Sequence, residues 1–221
     1  HIYTGLIGLN YNNPVSILLG NLSYSYSRRI NNLLGNVYLT ADGLQETQNL
    51  DRSNRQQNHL VSGRLSKYFM GAKLTPALSM AYMNTQTERI INGQYGNFEF
   101  TTFTPSVEMR YSGLRKVDLS YNGSLTKMWN ISNASEQYRQ TLNLGVWPAK
   151  KIYVKTLLEH YRNNLNRNQR DYFFADLLLR WSKSSHAIEI NFSNLFNTKV
   201  FRTLSVSDYS YTESSYTLRP A

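Results

Sequence analysis

The feature that most limits what this chain can become is the alternation of apolar and polar residues over long, uninterrupted stretches. Across 103–111 the odd positions are Phe103, Pro105, Val107, Met109 and Tyr111, and the even ones are Thr104, Ser106, Glu108 and Arg110. Successive side chains of a strand point to opposite faces, so such a segment is greasy on one side and wet on the other. Val117, Leu119, Tyr121 and Leu125 alternate in the same way with Asp118, Ser120, Asn122 and Ser124, and Ile188, Ile190 and Phe192 alternate with Glu189, Asn191 and Ser193. No apolar stripe at helical spacing competes with these patterns. The chain reads as all-β.

Short breaks punctuate the strands: Asn12-Asn13-Pro14, Met70-Gly71, Ser112-Gly113-Leu114, Pro148-Ala149-Lys150 and Ser182-Lys183-Ser184-Ser185. An aromatic residue stands immediately before each one (Tyr11, Phe69, Tyr111, Trp147 and Trp181). Between them lie wetter turns at Asp42-Gly43, Asn92-Gly93, 130–135 and 163–168. Ten strands follow, at roughly 1–11, 15–40, 45–69, 72–91, 96–111, 115–131, 136–147, 150–164, 169–182 and 186–193, then a tail, in an antiparallel up-and-down meander. Most are twice the five or six residues of a strand in a soluble sandwich.

A strand with one apolar and one polar face suits either a soluble barrel, greasy inside, or a membrane barrel, greasy outside. The distribution of charge favours the membrane. Both signs populate the polar faces, whereas Lys127 is nearly alone on the apolar ones, as a water-filled lumen and a lipid-facing wall require. The aromatics before the short breaks then form an interfacial girdle. Charged residues are 17% of the chain and aromatic residues 13%, so the polarity comes from Asn, Ser, Thr and Gln, and the ring content excludes a disordered chain.

No run approaches the apolar length of a spanning helix, and the opening residues lack the basic and apolar regions of a secretory signal. Outer-membrane barrels have short periplasmic turns and longer extracellular loops, so the first strand is expected to run toward the periplasm. The region 33–58 becomes a tall extracellular hairpin and 90–98 an extracellular loop. Pro76 and Pro105 lie inside strands, where a bulge or local unpairing is expected.

Chemistry for catalysis is sparse. The absence of Cys removes disulfides and thiolate sites, and His1, His59, His160 and His186 are too scattered for a zinc site. His59 near Asp51 and Ser62 is the single candidate for a rim catalytic group, with a solvated loop histidine as the plainer reading. Tyr68, Tyr153 and Tyr161 offer lumenal contacts, though a wall tyrosine more often just packs. A net charge of +10 raises nucleic acid as a partner, but the cations divide between the two ends of the strands instead of following one groove. Both rims are basic, which suits anionic lipid headgroups.

The phrase Asn194-Leu195-Phe196-Asn197, with Ser207-Asp208-Tyr209 and Leu218-Arg219-Pro220 after it, resembles the end of the barrel in TonB-dependent outer-membrane receptors. That resemblance implies a 22-stranded, plugged barrel, of which residues 1–221 would supply strands 12 to 21 with the last strand missing or cut short and no plug. It implies location in the outer membrane of a Gram-negative bacterium and energised uptake of a scarce ligand, with no catalysis, cofactor or metal. The implied partners are outer-membrane lipid and lipopolysaccharide, the plug and remaining strands, the TonB system and a surface lipoprotein lid, with no nucleic acid. Candidate ligand contacts are Arg64, Glu108, Arg110, Asp118, Arg139, Asp176 and Arg180 on lumenal faces and Tyr95, Asn97 and Arg167 in loops. The alternative is a stand-alone outer-membrane barrel of the porin, protease or phospholipase type.

Overall fold

The computed structural model describes residues 1–39, 45–130, 134–164, 171–183, 185–206 and 211–217. Among them every regular element is a strand: β1 (Ile2–Asn13), β2 (Leu18–Leu39), β3 (Gln45–Lys67), β4 (Leu74–Ile91), β5 (Gln94–Tyr111), β6 (Val117–Asn130), β7 (Ala134–Ala149), β8 (Ile152–Asn163), β9 (Asp171–Lys183), β10 (His186–Phe192), β11 (Val200–Val206) and β12 (Tyr211–Thr217). Strands β1 to β10 form one sheet in sequence order, each antiparallel to the next, and β11 with β12 forms a separate hairpin. The sheet is open, with β1 and β10 at its two edges. The expected all-β meander of ten strands is present, and the tail carries a further two-stranded hairpin, β11 with β12, that alternation alone did not separate.

Residues paired across neighbouring strands share a face, and the register therefore tests the alternation as a whole. One row runs Leu9, Leu22, Gly63, Met80 and Pro105 across β1 to β5. A second runs Tyr111, Leu119, Leu144, Thr156, Leu177 and Phe192 across β5 to β10. All ten strands thus place most of their aliphatic residues on the same face. The apolar run of β4 covers the nine residues 74–82, about 27 Å along the strand at ~3.4 Å per residue. Above it the same face turns polar, through Asn84, Gln86 and Glu88.

Among the described residues, nothing packs over the greasy band of this face. Leu78 is 59% exposed and Ile188 58%, while the buried apolar residues number only a handful. A soluble antiparallel sheet covers its apolar face with a second layer. Here the greasy surface is continuous and open, as it is on the outer face of a β-barrel membrane protein.

Irregularities fall where the sequence lacks a donor or gains a residue. Between β5 and β6 the ladder lapses at Thr104 and Pro105, resuming at Ser106–Ser124; proline has no N–H to give. Pro76 keeps its partner Met109 on β5 and lies just past the end of the β3–β4 ladder, so no bulge is needed there. A bulge at Asn31/Leu33 bends the β2–β3 hairpin. Beyond it, Asn36 and Val37 pair in parallel with Ile90 and Ile91 at the end of β4, and Leu34, Val37 and Ile90 become buried. The expected tall hairpin therefore folds over its neighbour; its closing turn, Asp42-Gly43, lies outside the described residues.

Two further expectations are corrected. The 90–98 region is not a loop: β4 and β5 run into a tight turn at Asn92-Gly93, whose φ angles of 48° and 79° are the left-handed pair a type I′ hairpin requires. Trp147 does not join the girdle on the apolar face. It stacks on Tyr153 at 4.5 Å, and Tyr153 pairs with Arg180 on the polar face. Trp147 follows Val146, so the alternation itself sends it to the polar face.

Candidate functional site

The polar face gathers the charged residues singled out in the sequence. Arg64, Glu108, Arg110, Asp118, Arg139, Asp176 and Arg180 all fall on it, because each alternates with an apolar neighbour on the other face. The pairings among them are partial. Arg64 donates to Glu108 at 2.7 Å and to Ser79 Oγ at 3.3 Å. Arg139 donates to Glu159 at 3.0 Å, a residue the sequence reading did not select. Asp176 accepts the backbone N–H of Asn194 at 2.8 Å. Arg110, Asp118 and Arg180 stand apart from these pairs.

Tyr95 and Asn97 are placed differently. They sit on the extension of the apolar face above its greasy band, near the β4–β5 turn, and the Arg52 guanidinium covers the Tyr95 ring at 4.4 Å. The folded-over β2–β3 hairpin makes that contact, and it is fastened by Arg55 N–H donating to Glu88 at 2.9 Å. Arg167 lies outside the described residues.

A recess on the polar face lies where the β11–β12 hairpin meets β7, β8 and β9. Gln137, Arg139, Glu159, Tyr161, Phe174 and Phe201 line a cleft of about 510 Å³. Phe201 supplies its apolar wall, meeting Tyr161, Tyr172 and Phe174 edge-on with centroids at 5.1, 5.2 and 5.5 Å. Tyr172 is 1% exposed at the centre of the cluster. A net-neutral ion pair, a carboxamide and aromatic edges offer both donors and acceptors to a polar ligand that has an apolar face.

The chain reaches this position through the Asn194-Leu195-Phe196-Asn197 phrase. Asn194 and Asn197 take φ angles of 56° and 53°, a left-handed conformation asparagine tolerates better than most residues. The Asn194 side chain accepts from Thr198 N–H at 3.0 Å and donates to its carbonyl at 3.1 Å, and Thr198 Oγ1 donates to Phe173 O at 2.7 Å. The phrase is a self-bonded corner anchored to β9, and it turns the chain onto the polar face.

The rim catalytic candidate does not assemble. His59 Nδ1 bonds the Tyr24 hydroxyl at 2.9 Å on the apolar face, while Ser62 is on the polar face, bonded to Ser23 at 2.7 Å. Among the described residues a histidine–carboxylate pair forms between His160 and Asp171 at 2.9 Å, with His160 stacked on Phe173. Sequence reading missed it because the two residues lie on different strands, joined diagonally. Tyr153 and Tyr161 pack against neighbouring rings, the plainer of their two readings. No group of metal-ligating side chains occurs among the described residues.

The fold and this face define an antiparallel up-and-down sheet of barrel-strand type, apolar on one side and charged on the other. Compared with known protein families and with curated proteins, the chain finds no match.

Proposed function

We propose that these strands form part of the wall of a TonB-dependent outer-membrane transporter, with the polar face toward the lumen and the β2–β3, β4–β5 and β11–β12 hairpins toward the cell exterior. The observation that carries the membrane half of this reading is the register. It assembles one exposed apolar band from ten strands, and in β4 that band runs nine residues, close to the ~25 Å height of an outer-membrane barrel. The transporter half rests on the resemblance of the C-terminal phrases, and on two open edges that need further strands before the sheet can lie in hydrocarbon. In this reading the wall and hairpins hold a scarce ligand until the energy system displaces the plug, and the cleft beside Arg139, Glu159 and Phe201 is a lumenal contact point.

Fractionating cells that produce the intact protein, and measuring uptake with and without a functional TonB system, tests the reading. Outer-membrane residence with TonB-dependent uptake is the expected result. Uptake indifferent to TonB, or a monodisperse, heat-modifiable barrel made from these 221 residues alone, would favour the stand-alone barrel instead.

A further inference from the structure

We propose that the short-turn end of the sheet is a collar for anionic phospholipid headgroups, an inference that rests on the membrane reading above. Each of four short turns carries cations at or beside it: Lys67 and Lys73, then Arg115 and Lys116, then Lys150 and Lys151, then Lys183. All are exposed, and no carboxylate stands among residues 12–17, 67–74, 111–117, 147–152 or 181–187. None of these cations forms a salt bridge among the described residues.

Backbone bonds stitch adjacent turns side by side, which makes the cations one row instead of separate patches. Ser112 N–H donates to Lys73 O, Trp147 N–H to Lys116 O and Ser182 N–H to Lys151 O, each at 2.9 Å. Successive turns are two strands apart, or about 10 Å at ~4.8 Å per strand. That is close to the ~8 Å screening length at physiological ionic strength, so neighbouring cations feel one another and raise the local concentration of anions.

The row also lies at a definite depth. Phe69, Tyr111 and Trp181 stand one to a few residues before the cations, on the apolar face or its continuation, so the charges begin where the greasy band ends. Lys67 places its ammonium 4.9 Å over the Phe69 ring, an amphipathic pairing suited to a lipid interface.

The opposite end differs. Carboxylates including Glu46, Asp51, Glu88, Glu99, Glu136 and Asp171 stand among its cations, and Lys127–Glu136 at 3.0 Å and Arg202–Glu213 at 3.3 Å are ion pairs. The sequence suggests two basic rims; the structure shows one that is uncompensated and one that is mixed. A row of like charges that forms no salt bridge among the described residues, set against lipid, is matched by headgroup phosphates.

The test uses the intact protein and a variant carrying Lys73→Gln, Lys116→Gln, Lys150→Gln, Lys151→Gln and Lys183→Gln. Flotation with phosphatidylcholine vesicles first reads membrane insertion. Spin-labelled phosphatidylglycerol and phosphatidylcholine then read the composition of the lipid shell. The expected result is a several-fold preference for phosphatidylglycerol that weakens with salt, is lost in the five-fold variant, and survives in an Arg52→Gln/Arg55→Gln control. Insertion without that preference, or a preference the variant retains, overturns the collar and leaves the membrane reading standing; failure to insert overturns both. Retention on heparin at physiological salt without lipid selectivity would also overturn it, pointing to an acidic macromolecule.

Discussion

Arg64 of β3 reaches over Ser79 of β4 to set its guanidinium 2.7 Å from the Glu108 carboxylate of β5, so a single ion pair spans three strands of the polar face. The reach exists because the intervening residue is small. Both side chains are about half exposed, at 48% and 47%, which keeps the pair well solvated. Such pairs contribute about 0–1 kcal/mol. Arg64→Ala and Glu108→Ala should each leave assembly intact, with a double-mutant coupling below ~1 kcal/mol that shrinks as salt rises. A coupling of several kcal/mol by denaturant unfolding would mean the pair is structural.

The two faces should respond oppositely to charge. Leu78 lies at the middle of the apolar run of β4, and Leu78→Arg should destabilise the inserted protein by ~2–4 kcal/mol. Asn122→Arg, on the exposed polar face of β6, should change little. Spin labels should report the same division: oxygen-accessible at Val107, Leu119, Leu144 and Ile190, and shielded from lipid at Glu108, Arg110, Asp118 and Glu189. Lipid access at the second set would overturn the assignment of faces.

Leu34 is fully buried where the β2–β3 hairpin folds over the end of β4. Leu34→Ala should cost ~2–5 kcal/mol locally, releasing the hairpin while the lower sheet stays intact. Limited proteolysis would then cut faster within 39–58, and unchanged cleavage would show that the fold-over contributes nothing. Deleting 41–55 takes the further step of removing Arg52 from Tyr95. Uptake undiminished by that deletion, at equal surface abundance, would leave the hairpin without a part in recognition.

Phe201 holds the β11–β12 hairpin against the polar face through three edge-on ring contacts. Phe201→Ala should free the hairpin, at a cost of ~3–5 kcal/mol to its docking. Amide exchange would rise over 200–206 and 211–217 while β8 and β9 keep their protection. Equal exchange before and after the substitution would move the anchor to the Asn194 corner.

The sheet was legible in the sequence because period-two alternation recurs along the strands, and a one-residue slip within the greasy band would have sent apolar residues to the charged face. Tyr95 and Asn97 were misread as loop because the residues around them are polar; only the Asn92-Gly93 pair reveals that the strands run on. Trp147 was grouped by its place before a turn, when its phase relative to Val146 decides its face. Lys127, the apparent exception on the apolar side, sits above the greasy band opposite Glu136, a pairing visible only once register is known. The Arg139–Glu159 pair and the Phe201 cluster join different strands, so no local pattern announced them.

Because every ladder of the main sheet joins neighbours in sequence, apart from the short β2–β4 bridge, the chain has an almost one-dimensional wiring diagram. Cutting the backbone at the β5–β6 turn would sever one covalent link and leave each half with all its own hairpins intact. The two pieces would need to find each other along only one seam, Phe100–Tyr111 against Leu119–Asn130. Such a molecule is divisible: a split pair co-produced in one cell could rebuild the wall from its parts, in the manner of a zip fastened from either end.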